Sequence, residues 1–246
     1  FDSAEVREPM SANIFSQFIE HWCRCIYGGI WAELLEDRKF YYPITERYDP
    51  YRALRDTAYP VVGASPWEIV GGGDSVRMST AEPFVGRHTP ELKPGSAIRQ
   101  HDLGITAGRS YVGYAWLKHA GDGRGSVELV LRWGEGGAAR QTVRLERLGK
   151  EYRKIPFEFE AGATTDKASL ELKVLAGPVL VGTLSLMPAN HVEGMRADTL
   201  ALLRELKAPI YRWPGGNFVS GYDWRDGVGD RDRRPPRTNQ IGRAHV

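Results

Sequence analysis

The middle of the chain alternates hydrophobic and polar residues with a period of two, which is typical of strands with one buried face. In residues 170–174, two leucines and a valine alternate with a glutamate and a lysine. Further strands are predicted at residues 111–117, 127–133, 143–145, 155–159 and 180–187. Glycine-rich turns separate several of them. Short strands at this spacing predict an antiparallel, jelly-roll-like β-sandwich over residues 61–188.

The flanking regions follow a different pattern, which predicts parts of an α/β domain. Residues 13–19 predict a short strand. Leucines at helical spacing predict a helix over residues 199–206, which Pro209 ends. A short buried strand over residues 210–213 then leads into the glycine-containing turn 214–217. A helix that leads to a strand and a turn is one unit of an α/β repeat.

Together these patterns predict a mixed fold, in which the β-sandwich is inserted into the first βα units of an incomplete (β/α)8 barrel. Residues 1–60 would hold the first barrel strand and a long loop. Residues 189–240 would hold the barrel helix, the second strand and the loop after it. The last six residues, 241–246, can be encoded by a nucleotide string that resembles a sequencing adapter, so we expect a non-native tail there. Two barrel strands alone leave unpaired edges, so we expect the flanks to be looser than the sandwich.

Composition and charge exclude several classes of protein. The 246 residues include 33 Lys and Arg against 31 Asp and Glu, and this net charge of +2 gives no reason to expect a nucleic-acid partner. No run approaches the roughly 20 apolar residues that span a bilayer. Cys23 and Cys25 are too close for an unstrained disulfide in an extended segment, and the histidines show no ligand spacing. We therefore expect no metal, no cofactor and no membrane span.

Three polar residues fall where the working residues of a (β/α)8 barrel lie, just past the C-terminal ends of strands. Glu20 follows the first strand, Arg212 lies near the end of the later strand, and Asn217 lies on the loop beyond it. A carboxylate, a guanidinium and an amide suit a ligand rich in hydroxyl groups. Each also has a purely structural interpretation. Glu20 could be a solvated charge at the end of a strand, Arg212 a member of an ion pair, and Asn217 a turn residue in the left-handed conformation.

Two long motifs resemble the signatures of glycoside hydrolase family 51, whose members are α-L-arabinofuranosidases. The first is the Phe-Ile-Glu-His stretch and its continuation over residues 18–33, and the second is the Arg-Trp-Pro-Gly-Gly-Asn stretch over residues 212–224. Residues 233–237 continue the match. The resemblance covers about residues 10–60 and 189–239, and the sandwich is similar to the carbohydrate-binding-module-like insert of some members.

The resemblance implies substrate-binding roles for the same three residues. Glu20 would bind the arabinofuranosyl hydroxyls, Arg212 would orient the subsite and its acidic residues, and Asn217 would contact the same sugar. Cys23 and Trp213 depart from the family, which usually has Gly and Tyr at these positions. Neither replaces a polar contact residue, so these departures bear on local packing.

The implied activity is the release of terminal α-L-arabinofuranosyl residues, with retention, from arabinan, arabinoxylan or arabino-oligosaccharides. A retaining glycosidase needs two carboxyl groups roughly 5–5.5 Å apart. In the family both glutamates come from later barrel strands, and the acid/base follows an Asn, but no Asn-Glu pair occurs in this chain. We therefore assign no catalytic residue here and expect this chain alone to be inactive.

The aromatic residues of the insert leave a second function open. Trp67, Tyr111, Tyr114, Trp116 and Trp133 could stack on sugar rings, although most are expected to fill the sandwich core. The alternative to the enzyme is therefore a non-catalytic polysaccharide-binding protein, and a third interpretation is a related barrel glycosidase with endo-activity. The expected partner is an arabinose-containing polysaccharide or oligosaccharide. A glycan-binding insert favours an extracellular or periplasmic location over a cytoplasmic one, whereas many members of the family are intracellular. Oligomerisation of a full-length protein stays open.

Overall fold

The computed structural model describes residues 8–21, 24–51 and 62–237. Within these residues it contains one α-helix, α1 (Ala197–Glu205), several short 3-10 helices and twelve strands. The strands are β1 (Gln17–Phe18), β2 (Trp67–Val70), β3 (Val76–Ser79), β4 (Thr89–Leu92), β5 (Ala97–Ile105), β6 (Ser110–His119), β7 (Gly125–Arg132), β8 (Arg140–Leu148), β9 (Arg153–Glu160), β10 (Thr165–Ala176), β11 (Val179–Pro188) and β12 (Tyr211–Arg212).

Ten strands form a β-sandwich of two five-stranded sheets, which we call the first and the second sheet. The first has the order β2-β5-β10-β7-β8 and the second the order β3-β4-β11-β6-β9. Every pairing within both sheets is antiparallel. The predicted antiparallel β-sandwich is therefore confirmed, and each strand predicted from alternation lies within one of these elements, except that β7 ends at Arg132, one residue before the predicted end at Trp133.

The facing sides of the two sheets supply the main core. Leu172 of β10 pairs with Ile98 of β5 and with Leu129 of β7, and all three side chains are fully buried. The neighbouring row points outward, where Glu171 accepts hydrogen bonds from Arg99 at 2.6 and 3.0 Å. The two-residue period of the sequence thus separates the apolar interior from a charged outer face.

The flanking regions meet in a second, smaller sheet. β1 and β12 pair in parallel, with Gln17 opposite Tyr211 and Phe18 opposite Arg212. The predicted helix is present as α1, directly before β12. All strands of the sandwich lie between β1 and β12 in the chain, so the sandwich is inserted between two strands that pair. One pair of strands with a helix does not by itself define a barrel.

Two details of the flanks correct the sequence prediction. Residues 12–15 form a 3-10 helix that Ser11 caps, so the first strand is confined to residues 17–18. The second strand was expected to be buried, but Ile210 is 51% and Trp213 45% exposed. In the described residues β1 is the one strand that pairs with β12, so the other edge of β12 has no strand beside it there. The predicted tail and Cys23 lie outside the described residues, and no described helix has the length and apolar character needed to cross a bilayer.

A strap, residues 33–39, ties the loop after β1 to the second sheet. The Leu34 amide donates to the Leu186 carbonyl at 2.9 Å, and the Leu184 amide donates to the Arg38 carbonyl at 3.1 Å. Glu33 is buried at the start of the strap, and its carboxylate accepts from the Ser185 hydroxyl at 2.6 Å and from the Leu186 amide at 2.8 Å. The strap therefore runs alongside β11 and is joined to it by backbone hydrogen bonds.

Candidate functional site

The parallel pairing of β1 and β12 sets the loops that follow these strands side by side. The Ile19 amide donates to the Arg212 carbonyl at 2.9 Å, and the Gly215 amide donates back to the Ile19 carbonyl at 2.6 Å. Both strands run in the same direction, so both chains leave the small sheet at the same edge. This edge is where side chains from the ends of parallel strands converge.

Glu20 is held directly by the loop after β12. One oxygen of its carboxylate accepts a hydrogen bond from the Phe218 amide at 3.0 Å. Gly216 packs so closely that a Cβ there would overlap the Glu20 carboxylate, and its φ of +64° is in the region that favours glycine. Because Gly216 has no side chain, the Glu20 carboxylate can pack directly against the backbone of this loop.

The other two predicted site residues lie at the same edge and are exposed. Asn217 stands next to Phe218 in a 3-10 helix, Gly216–Gly221. The Arg212 guanidinium lies 5.3 Å from the centroid of the Phe18 ring. The structure thus brings Glu20 into contact with the segment that carries Asn217. Among the described residues, no hydrogen bond or ion pair joins Arg212 to either of them.

His21 packs behind Glu20 against the same loop. Its ring stacks on Phe218 with centroids 4.2 Å apart and meets Trp213 edge-on at 5.9 Å. Burial lowers the pKa of His21 to about 4, although the neighbouring Glu20 carboxylate acts in the opposite direction. At neutral pH the ring is therefore uncharged, and it forms an aromatic support for the loop that holds Glu20.

A cavity of about 510 Å³ lies beside this site, between the strap and the loop after β12. Its walls include His21, Trp213, Phe218 and Tyr222 from the site, together with charged residues of the strap and of residues 226–237. This volume is within the range of small-molecule sites. The walls combine apolar and aromatic surface with ten charged side chains.

The segment 230–234, which we call the docking segment, fixes the same loop to the sandwich. Asp232 is 1% exposed, and its carboxylate accepts hydrogen bonds from Tyr114 at 2.7 Å and from Trp116 at 2.9 Å. Arg38 of the strap donates to it at 2.9 Å and Lys154 of β9 at 3.3 Å. One buried carboxylate therefore joins the docking segment, the strap and the second sheet.

The structure separates the aromatic residues of the insert into two groups. Trp67 and Tyr111 are fully buried, as expected for most of the set, and Trp133 is partly buried against the core. Tyr114 and Trp116 lie on the outer face of the second sheet, where Asp232 binds both. At these two positions the glycan-platform interpretation is wrong, because the chain's own docking segment occupies the surface.

Sequence reasoning missed the residues that join the flanks to the sandwich. Glu33 and Asp232 are buried and Arg38 is partly buried, and each of them has a hydrogen-bond partner more than 75 residues away in the chain. No local pattern in the sequence marks these three residues, because charged residues of mixed sign usually lie on a solvated surface. No group of three or more potential metal ligands occurs among the described residues, and Cys25 is an exposed free thiol.

Comparison with known proteins supports the resemblance over part of the chain. One 64-residue stretch is 47% identical to an intracellular exo-α-(1→5)-L-arabinofuranosidase of Halalkalibacterium halodurans, covering 22% of this chain and 13% of that relative. A stretch of the same length is 50% identical to an exo-α-(1→6)-L-arabinofuranosidase of Bifidobacterium longum, covering 22% and 12%. The chain thus covers about an eighth of the length of these relatives. No protein-family model matches the chain. The predicted resemblance to α-L-arabinofuranosidases is confirmed over this stretch.

Several solved structures similar to this chain are carbohydrate-binding modules. The CBM22-1 xylan-binding domain of Paenibacillus barcinonensis Xyn10C matches with a TM-score of 0.41 at 11% identity, over 51% of this chain and 87% of that domain. TmCBM61, solved with β-1,4-galactotriose, matches with a TM-score of 0.37 at 18% identity, over 50% and 89%. A likeness at this level assigns no ligand to the sandwich, whose architecture follows from its own strand pairing.

Proposed function

We propose that this chain is the N-terminal part of a retaining glycoside hydrolase that releases terminal α-L-arabinofuranosyl residues from arabinan, arabinoxylan or arabino-oligosaccharides. The observation that carries the proposal is the hydrogen bond between the Glu20 carboxylate and the Phe218 amide. It joins the two motifs that resemble those of arabinofuranosidases, although Glu20 and Phe218 are 198 positions apart in the chain. The names of the similar proteins support the same substrate class.

In this proposal Glu20, Arg212 and Asn217 bind the sugar. One Glu20 oxygen accepts from Phe218, so the other can accept from a sugar hydroxyl. Asn217 is exposed beside it and offers both a donor and an acceptor. Arg212 adds a positive charge at the same edge. In the full-length protein this charge would orient the acidic residues of the active site.

The proposal assigns the acid/base and the nucleophile to a longer protein of which this chain is a piece. A retaining mechanism requires two carboxyl groups roughly 5–5.5 Å apart. Glu20 is engaged by the loop backbone, which suits a binding residue better than a nucleophile. Residues 1–60 and 189–240 would then form the first two βα units of the catalytic barrel, with residues 61–188 inserted between them.

The purely polysaccharide-binding alternative has less support. Its best candidate surface is the row of aromatic residues on the outer face of β6, and the docking segment covers Tyr114 and Trp116 there.

The proposal is tested with an aryl α-L-arabinofuranoside, the full-length protein and the 246-residue chain. We expect the full-length protein to hydrolyse it and to release arabinose with the α-configuration, observed by NMR before mutarotation. We expect the shorter chain to show no turnover. An inactive full-length protein, an inverted first product, or turnover by the 246-residue chain would each contradict the proposal.

A further inference from the structure

The cavity beside the site carries more positive charge than its carboxylates can balance. Lys39 of the strap and Arg231 and Arg234 of the docking segment all line it. Burying cations without counterions is unfavourable, so charge of one sign collected around a cavity calls for an explanation.

Two of the four carboxylates that line the cavity are already paired with other arginines. Glu36 forms an ion pair with Arg24 at 3.0 Å, and Asp226 forms one with Arg237 at 2.8 Å. Arg38, which also lines the cavity, is paired with Asp232. These pairs balance their own charges and leave no surplus negative charge for the remaining cations.

The other two carboxyl groups of the lining are engaged within the strap and the sandwich. Glu33 accepts from the Ser185 hydroxyl and the Leu186 amide, and Asp37 accepts from the amides of Tyr41 and Tyr42. Burial raises the pKa of Glu33 and raises that of Asp37 to about 8. At neutral pH Asp37 is therefore mostly protonated, and the Glu33 carboxylate is already satisfied by hydrogen bonds from the sandwich.

The three remaining cations bind neutral oxygens. Lys39 Nζ donates to the Arg234 carbonyl at 2.9 Å, and Arg234 donates to the Gly229 carbonyl at 2.9 and 3.2 Å. Arg231 donates to the Tyr114 hydroxyl at 3.1 Å. In the described part of the chain, no carboxylate lies within 4.0 Å of any of the three. Burial, together with the neighbouring arginines, lowers the pKa of Lys39 to about 7, as expected in a field of positive charge.

We propose that this cavity binds a sugar that carries a carboxylate, a uronosyl residue, through Lys39, Arg231 and Arg234. Guanidinium groups bind carboxylates with charge-assisted, often bidentate hydrogen bonds. Trp213 and Tyr222 supply aromatic surface for the sugar ring. The inference rests on the proposed function, because this aromatic wall continues into the loop that holds Glu20. The uronosyl residue would be a neighbour of the arabinofuranosyl group in the same polysaccharide.

The test compares the binding of two matched ligands to the 246-residue chain. One is a galacturonate trisaccharide, and the other is the same trisaccharide after reduction of its carboxyl groups to alcohols. Calorimetric titration should give a dissociation constant at least about tenfold lower for the acidic form, as expected for charge-assisted hydrogen bonds. Arg234→Gln and, separately, Lys39→Gln should each remove most of this preference.

Arg140→Gln is the matched control, because it removes one positive charge from an exposed position on the edge strand of the first sheet. It should leave the preference unchanged. Equal binding of the two trisaccharides, an unchanged preference in Arg234→Gln and Lys39→Gln, or sulfate binding as tight as that of the acidic trisaccharide would each overturn the inference. Glu20→Gln separates the two proposals, since it should weaken binding of the arabinofuranosyl group and leave uronate binding intact.

Discussion

Replacement of Asp232 by Asn tests how firmly the loop beside the site is attached to the sandwich. The Asp232 carboxylate accepts four hydrogen bonds, from Arg38, Tyr114, Trp116 and Lys154. Asn keeps the size of the side chain but removes the negative charge. The Arg38 guanidinium, whose side chain is 12% exposed, would then be left without its carboxylate.

The expected loss is large because both charges are buried. Removing one partner of a buried ion pair typically costs about 3–5 kcal/mol. For a protein of this size each kcal/mol lowers Tm by about 2–4 °C, so the melting temperature should fall by about 6–20 °C at pH 7. Burial alone would raise the pKa of Asp232, but Arg38 and the hydrogen bonds from Tyr114 and Trp116 lower it by more. The stabilisation is therefore present above the unfolded pKa of about 3.9 and is lost as the pH falls below it.

Thermal unfolding followed by circular dichroism measures this effect at pH 7 and at a series of lower pH values. Asp166→Asn, at an exposed position on β10, removes the same charge elsewhere and should change Tm by no more than about 1–2 °C. The difference in Tm between wild type and Asp232→Asn should shrink below about pH 4. An Asp232→Asn protein that melts like Asp166→Asn at pH 7, or a difference that grows in acid, would refute the reasoning.

Three further predictions concern the flanks. Gly216→Ala should weaken arabinofuranoside binding by the full-length protein and lower Tm, because the added methyl group would overlap the Glu20 carboxylate and because the backbone there has a positive φ. Gly137→Ala is the control and should do neither, because the space around Gly137 is open. The lowered pKa of His21 means that the free energy of unfolding should fall as the pH drops from about 6.5 to 4, and His21→Phe should remove that part of the titration. Hydrogen exchange should be much slower for the amides of β7 and β10 than for those of β1 and β12, and equal protection would contradict the expectation of looser flanks.

The sandwich could be predicted from the sequence because its signal is local. Alternation in residues 170–174 specifies which side of a strand faces the core, and Leu170, Leu172 and Val174 are indeed fully buried. The strand order within each sheet has no such local signal. It depends on long-range pairings, such as that between β5 and β10.

The candidate site was predictable only where a motif marked it. The proximity of Glu20 to the segment that carries Asn217 follows from the two motifs and the parallel strands that precede them. The role of Asp232 could not be predicted, because a charged residue between arginines usually lies on a solvated surface. Its burial results from the packing of segments far apart in sequence, which bring Arg38 and Tyr114 to the same point.

The central claim is that Glu20 binds the arabinofuranosyl group, and kcat/KM of the full-length protein for an aryl α-L-arabinofuranoside tests it most directly. Glu20→Gln keeps an oxygen for the Phe218 amide and removes the charge that would bind the sugar. We predict that kcat/KM falls by at least about tenfold, as expected for the loss of hydrogen bonds to a charged group. Glu151→Gln, at an exposed turn of the sandwich, should keep the wild-type value. A Glu20→Gln protein with wild-type kcat/KM would contradict the account.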